Sequence, residues 1–291
     1  MQQAPKTVLV FGKTGQLARS LADLPLGDLI LCFLGRDECD LTDASAISDV
    51  IRQRCPDVVV NAAAYTAVDK AESEEGLAYQ VNAEAPESMA QACAGLGIGF
   101  IHISTDYVFD GEATEPYPVE HEVNPLGVYG ASKLAGERKV LAALPSAVVI
   151  RTSWVYGDVG NNFVATMLRL TETRDSIGVV GDQWGLPTYA SDLAMAILEV
   201  VSKLNTEQGG IYHYSNQGQP ITWFDFVKEV FRCAGKEIEV NKLTTEQFPT
   251  PTKRPKWSVL DCTKIQKVYQ LEIPQWQASL AEYFTKKTKL S

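Results

Sequence analysis

Thr7–Phe11 is a short, β-branched and apolar run that stops at Gly12, with Gly15 and Ala18 following in the order G-x-x-G-x-x-A. This segment constrains the chain more than any other, because it reads as a buried strand, a tight turn and a helix start in succession. Gly12 permits the turn, Gly15 lets a ligand's pyrophosphate approach the backbone, and Ala18 allows close helix–sheet packing. The helix that begins here aims free N–H groups and a positive dipole end at the same place. The spacing predicts a dinucleotide site in which Gly12, Gly15, Gln16 and Leu17 contact the cofactor.

The pattern then repeats. Leu29–Leu34, Val58–Val60, Phe100–Ile103 and Val148–Ile150 are further short apolar runs, and Ala44–Arg54, Ala83–Gly95 and Ala131–Leu144 between them carry apolar residues at helical spacing. Strand–helix alternation of this kind predicts an α/β protein, a Rossmann-type doubly wound parallel sheet. We expect residues 1–155 to form that core, after a loose tail at Gln2–Pro5. Residues 156–291 are less regular, with helices expected at Asn162–Thr171, Ser191–Lys203, Trp223–Cys233, Lys264–Gln270 and Gln277–Thr285 and a strand at Ile211–Tyr214. Pro249, Pro251 and Pro255 mark a loop. These elements read as an interleaved, small mixed α/β C-terminal lobe for the substrate, within one compact unit.

Composition removes other classes. With 26 Lys and Arg against 36 Asp and Glu, the net charge of −10 argues against nucleic acid as a partner. No apolar run reaches the roughly 20 residues that cross a bilayer, and no charged leader precedes the first strand, so a cytoplasmic protein without a membrane partner is expected. The six cysteines are scattered, without C-x-x-C or zinc spacing, and read as reduced residues.

After the second run comes Gly35-Arg36-Asp37. Arg36 favours the 2′-phosphate of NADPH, whereas Asp37 leaves NADH open. Further on, Tyr129 and Lys133 form Y-x-x-x-K, which puts a phenol and an ammonium on one helix face. A nearby cation lowers a phenol's pKa and makes it a usable acid. The preceding strand ends in Ser104-Thr105-Asp106-Tyr107-Val108-Phe109, whose hydroxyls lie where a doubly wound sheet binds ligands.

The fingerprint, Asn61-Ala62-Ala63-Ala64, Ser104-Thr105-Asp106 and the Tyr129/Lys133 pair together resemble the extended short-chain dehydrogenase/reductases. The longer blocks Asn61–Glu72, Ser104–Phe109 and Arg151–Tyr156 are similar to the dTDP-4-dehydrorhamnose reductase family. Gly160–Phe163, Asp182-Gln183, Pro187-Thr188, Arg254-Pro255 and Leu271–Trp276 extend the resemblance over almost the whole chain. The resemblance implies reduction of the C4 keto group of dTDP-4-dehydro-L-rhamnose to dTDP-L-rhamnose. It makes Tyr129 the proton donor, gives Thr105 the C4 oxygen, and has Lys133 lower the tyrosine pKa and hold the nicotinamide ribose. Asp40 and Leu41 become the adenine-side contact, and Ala62, Ala63 and Ala64 flank the cofactor. Val68, Asp106, Tyr107, Trp154, Asn162 and Arg254, with Thr105 and Tyr129, match substrate positions.

One departure bears on metals. Some members of the family hold Mg²⁺ at a dimer interface with glutamates, where this chain has Ser20 and Ser191. Serine hydroxyls are poor ligands for that ion, so we expect no metal, and a monomer or a metal-independent dimer. A dehydratase of the same superfamily would place Asp-Glu after the strand-end Thr, and this chain has Asp106-Tyr107. A related nucleotide-sugar epimerase or reductase, and a non-catalytic NADP-binding regulatory subunit, remain as alternatives.

Overall fold

The computed structural model describes residues 5–290, so the tail expected at Gln2–Pro5 lies outside the described residues except for Pro5. Six strands form one parallel sheet: β1 (Lys6–Phe11), β2 (Leu29–Leu34), β3 (Val58–Asn61), β4 (Gly99–Thr105), β5 (Val148–Thr152) and, far along the chain, Gly210–Tyr214. Their spatial order is β2-β1-β3-β4-β5 followed by Gly210–Tyr214. The strand order therefore reverses between β1 and β3, the crevice where open α/β sheets bind ligands.

Strand alternation divides the core between the two faces. Val8, Val10, Val60, Ile101 and Ile150 pack on one side, while Leu9, Phe11, Val59, Phe100 and Val149 pack on the other. The first face is covered by α1 (Gln16–Ala22) and a later helix bearing Leu193 and Ile197, the second by α2 (Ala44–Arg54) and the helix bearing Met89 and Cys93. Both bounds of α2 match the expected ones. Asp43 caps its start by accepting from Ser45 N and Ala46 N, and Cys55 ends it in the left-handed region at φ 41°.

The helix expected at Ala83–Gly95 begins earlier. After α3 (Val68–Ala71), the chain runs through α4 (Glu75–Tyr79), a π-helical turn at Gln80–Glu84 and α5 (Ala85–Leu96). The extra residue of a π turn shifts the apolar stripe, so periodicity shows only the second half. Helix α6 (Val128–Ala143) starts three residues before its expected bound and buries Gly130, Ser132, Lys133, Gly136 and Glu137.

Beyond β5 the elements are β6 (Val155–Tyr156), α7 (Phe163–Leu170), β7 (Ser176–Val180), β8 (Trp184–Gly185), β9 (Thr188–Tyr189), α8 (Ala190–Lys203), β10 (Gly210–Tyr214), β11 (Ile221–Thr222), α9 (Trp223–Ala234), β12 (Glu239–Leu243), α10 (Thr263–Tyr269) and α11 (Trp276–Leu290). Of these, β10 completes the main sheet, and α8 and α10 contribute to its core. The others surround a separate cluster of Tyr156, Val179, Tyr189, Phe226, Val230 and Leu280.

Candidate active site

At the end of β1, Gly12 has φ +98°, and a Cβ there would come within 2.8 Å of Ala63 N and 2.9 Å of Ala62 C. Only glycine fits so close to the loop of Ala62–Ala64. Gly15 precedes α1 and returns its N–H to Gly12 O at 2.8 Å, which closes the turn. The opposite wall is held by a residue outside the expected set. Buried Asn61 accepts from Ala63 N at 3.1 Å through Oδ1, and its Nδ2 lies 3.1 Å from His102 Nδ1. That pairing makes Nδ1 the acceptor and assigns the proton to Nε2. Burial, with the Lys133 charge nearby, holds the His102 pKa well below its ordinary value.

Arg36 extends into solvent with its side chain 86% exposed and only a 4.0 Å approach to Asp40. Asp40 Oδ1 accepts from Thr42 N and Thr42 Oγ1, both at 3.0 Å, and Leu41 is half-buried against the core. The carboxylate that hydrogen-bonds to the backbone after β2 is Glu38, with Asp37 Oδ1 also lying beside Gly35. Glu38 accepts from Gly35 N at 2.7 Å and pairs with Lys13 at 3.1 Å. Those contacts hold its carboxyl below the usual range.

Thr105, Asp106, Tyr107, Tyr129 and Lys133 come together at the end of β4. Thr105 Oγ1 accepts from Tyr107 N at 3.2 Å and lies 2.9 Å from Asp106 Oδ1, to which it donates. Tyr129 hydrogen-bonds to Thr105, yet burial dominates and pushes the phenol pKa up, with Asp106 and Tyr107 adding to the rise. The Tyr107 and Tyr129 rings meet edge to face at 5.4 Å. Lys133, expected to lower the phenol, is not among the causes of that shift. Lys133 Nζ instead donates to Ile103 O at 2.6 Å, and burial lowers its own pKa to about 8. Buried Asp106 moves the other way, up to about 6. The result is a phenol that keeps its proton, as an acid waiting for a base must.

Helix α6 is fixed to this site by several contacts. Gly130 lies under the Tyr107 carbonyl, which a Cβ would approach to 2.1 Å. One helical turn beyond Lys133, Glu137 accepts from Arg151 Nη2 at 2.7 Å, Arg151 Nε at 2.9 Å and Ser104 Oγ at 2.5 Å. Glu72 accepts from Val128 N at 3.0 Å, immediately before Tyr129, and also from Thr252 Oγ1 at 3.3 Å. Thr252 belongs to the proline-rich loop. From the same loop Arg254 reaches Asp69 at 2.7 Å and the Tyr107 hydroxyl at 3.0 Å, so it joins the cluster. Val68 is tied to the loop through its carbonyl, which accepts from Thr252 Oγ1 at 3.0 Å.

The remaining candidates lie at the lobe side. Trp154 follows β5 in the left-handed region, φ 50°, and stacks on Trp223. Asn162 is occupied structurally: Oδ1 caps α7 at Ala165 N, and Nδ2 donates to Gly157 O and to Gln16 Oε1, both at 3.0 Å. Gln16 is thereby tied to the lobe. Ser20 and Ser191 are buried on α1 and α8. Among the described residues no group of three or more His, Cys, Asp or Glu is placed to hold a metal ion, and no helix is long and apolar enough to cross a membrane.

Residues 6–289 match the family model described as the RmlD substrate binding domain. The dTDP-4-dehydrorhamnose reductase of Sinorhizobium fredii is 42% identical over 278 residues, 93% of this chain and 94% of that protein. A dTDP-4-dehydrorhamnose reductase structure from Clostridium acetobutylicum superposes with a TM-score of 0.92 at 40% identity, covering 97% of this chain and 99% of that one. The Bacillus anthracis dTDP-4-dehydrorhamnose reductase, solved in complex with NADP, gives a TM-score of 0.91 at 37% identity, covering 97% and 99%. With the family model matched over residues 6–289 and relatives 42% identical over nearly the full length, the chain belongs to the dTDP-4-dehydrorhamnose reductase family.

Proposed function

We propose that this chain reduces the C4 keto group of dTDP-4-dehydro-L-rhamnose, giving dTDP-L-rhamnose, with Tyr129 as the proton donor. The observation that carries this reading is the half-buried Tyr129 phenol, kept protonated beside Thr105 at the end of β4. A carbonyl oxygen placed between these two hydroxyls would accept from Tyr129, and from Thr105 once the Thr105 hydrogen turns away from Asp106, as its negative charge develops.

The cofactor is taken to be NADPH, with NADH as a second donor. The turn after β1 fits a pyrophosphate: Gly12 lets it close against the Ala62–Ala63 backbone, and the N–H groups at the start of α1 have no side-chain cap. When bound, the nicotinamide supplies the hydride. Gly12, Gly15, Gln16 and Leu17 hold the diphosphate end, Ala62–Ala64 flank it, and Arg36 swings from solvent onto the 2′-phosphate. Asp40 and Leu41 border the adenine. Lys133, fixed by Ile103, holds the nicotinamide ribose.

Arg254 and Tyr107 face the substrate's diphosphate side, and Arg254 exchanges its Asp69 partner for a phosphate oxygen. Val68, Asp106 and Trp154 bound the sugar, and Asn162 supports the site through its contact with Gln16. The enzyme acts in the cytoplasm as a monomer or a metal-independent dimer. Incubation of purified protein with dTDP-4-dehydro-L-rhamnose and NADPH or NADH, with product identification, tests the reading. Net oxidation of the reduced cofactor with formation of dTDP-L-rhamnose supports it. A C4-unchanged epimer formed without net cofactor consumption overturns it.

A further inference from the structure

We infer that Trp223 and Gly185 are positioning residues for the sugar subsite, acting together to fix the indole of Trp154 as its wall. This rests on the reading of the cleft as a nucleotide-sugar site. The Trp154 and Trp223 rings are stacked, with centroids 3.5 Å apart and planes 9° from parallel. On the Nε1–Cε2–Cζ2 side of the Trp154 indole lies Gly185, where an added Cβ would stand 2.5 Å from Cε2. The ring is held between a second indole and a backbone that has no side chain.

Both supports are themselves fixed. Gly185 and Trp184 of β8 pair antiparallel with Ile221 and Thr222 of β11. Thr222 is the N-cap of α9, and its reciprocal capping box with Asp225 sets the position of Trp223, the first helical residue. Phe163, tilted at 4.4 Å from Trp223, backs the outer ring. One β-pair thus places the two supports of Trp154 in a single step.

Trp154 also has φ 50°, a conformation that bulky side chains avoid. Such a residue persists only where its surroundings over-determine it, and such residues cluster at ligand sites. The strain has a geometric purpose here. Thr152, two residues earlier, is the register partner of Thr105, so the chain leaves the main sheet beside the reacting hydroxyls. The left-handed turn at Trp154 sends the backbone into the lobe, where Trp154 O accepts from Thr188 N at 3.2 Å. Trp154 and Trp223 remain only half-buried, unlike the Tyr156–Tyr189–Phe226 core behind them. With Trp223 over one face and Gly185 against the Nε1–Cε2–Cζ2 part of the ring, the exposed remainder of the indole is clamped in one plane and offers a hexose a fixed apolar border. Thr105 and Tyr129 supply the polar side.

The test compares Trp223→Leu, Trp223→Phe and Gly185→Ala with wild type by near-ultraviolet circular dichroism and steady-state kinetics with dTDP-4-dehydro-L-rhamnose and NADPH. Loss of a fixed wall removes uniform binding, so KM for the sugar nucleotide should rise about five- to tenfold in Trp223→Leu, with kcat and KM for NADPH nearly unchanged. The dichroic signal of the stacked pair should disappear in that variant. Trp223→Phe should recover most of the affinity, and Gly185→Ala, which leaves Trp223 intact, should raise the sugar KM alone. If Trp223→Leu does not fold, the other two variants decide. An unchanged sugar KM in Gly185→Ala or in a folded Trp223→Leu overturns the inference while leaving the proposed function intact. A wild-type protein without turnover overturns both.

Discussion

Lys133 Nζ donates to the Ile103 carbonyl across 2.6 Å, which anchors α6 to the strand that ends in Thr105. Tyr129, Lys133 and Glu137 stand at intervals of four on that helix, and each is held by a different part of β4 or its end: Thr105, Ile103 and Ser104. The spacing of a ladder of contacts sets the helix register.

Tyr129→Phe keeps the ring but removes the donated proton. Its kcat should fall by about 10²–10⁴-fold with NADPH affinity retained, as read by steady-state kinetics and cofactor titration. Turnover at the wild-type rate would remove Tyr129 from the mechanism.

Asp106 carries a stability penalty that depends on pH. Burial raises its folded pKa to about 6, above its unfolded value, so the folded state binds the proton more tightly. Its contribution is most favourable below about pH 4 and is lost as pH rises to about 6. Asp106→Asn should therefore raise the denaturation midpoint above that window by an amount equivalent to about 1–3 kcal/mol, with little gain below it. Equal effects at both ends would show that the carboxyl titrates normally.

Arg36→Ala should weaken NADPH by roughly ten- to a hundredfold and leave NADH nearly unaffected. The guanidinium is free to turn, because its only ion-pair contact is the 4.0 Å approach to Asp40. Equal losses for both cofactors would mean that Arg36 does not read the 2′-phosphate. The same titration on Glu38→Gln, which frees Lys13, reports whether that pair contributes to the choice.

Arg151→Met leaves Glu137 buried without its bidentate partner, since the two side chains are 2% and 1% exposed. Unfolding in denaturant should show a loss of about 3–5 kcal/mol, partly restored when Glu137 is also replaced by Leu. A loss under 1 kcal/mol would mean that water or Ser104 compensates the carboxylate.

Chelation should leave turnover intact. Ser20 and Ser191 present neutral hydroxyls where Mg²⁺ would need carboxylates, and both are buried. Specific activity should survive EDTA and dilution. A dimer that EDTA dissociates, with parallel loss of activity, would require a carboxylate set other than these positions.

Much of this was legible because the signals are local. The strand ending at Gly12, the bounds of α2 and the Tyr129/Lys133 spacing all lie within one element or one turn. What escaped depends on contacts between distant parts of the chain. Asn61 meets His102, Gln16 meets Asn162, and Glu72 meets Thr252 across separations of 41, 146 and 180 residues. No periodicity reports such pairs. Glu38 was hidden by its neighbours Arg36 and Asp37, because which of three consecutive charges turns back to Gly35 is decided by the loop after β2. The direction of the Tyr129 pKa was not legible for another reason: motif spacing places Lys133 on the same helix face, but the shift is set mainly by burial and Lys133 is not among its causes. Gly130, Gly136 and Gly185 were the available hints, since each marks a place where a side chain would collide with another segment.

The most direct test of the central claim uses NADPH deuterated at the transferable position of its nicotinamide, incubated with dTDP-4-dehydro-L-rhamnose and purified protein. The account predicts dTDP-L-rhamnose carrying the deuterium at C4 of the sugar, at a rate that collapses in Tyr129→Phe. Product without deuterium at C4, or deuterium retained in the cofactor while the sugar changes, would contradict it.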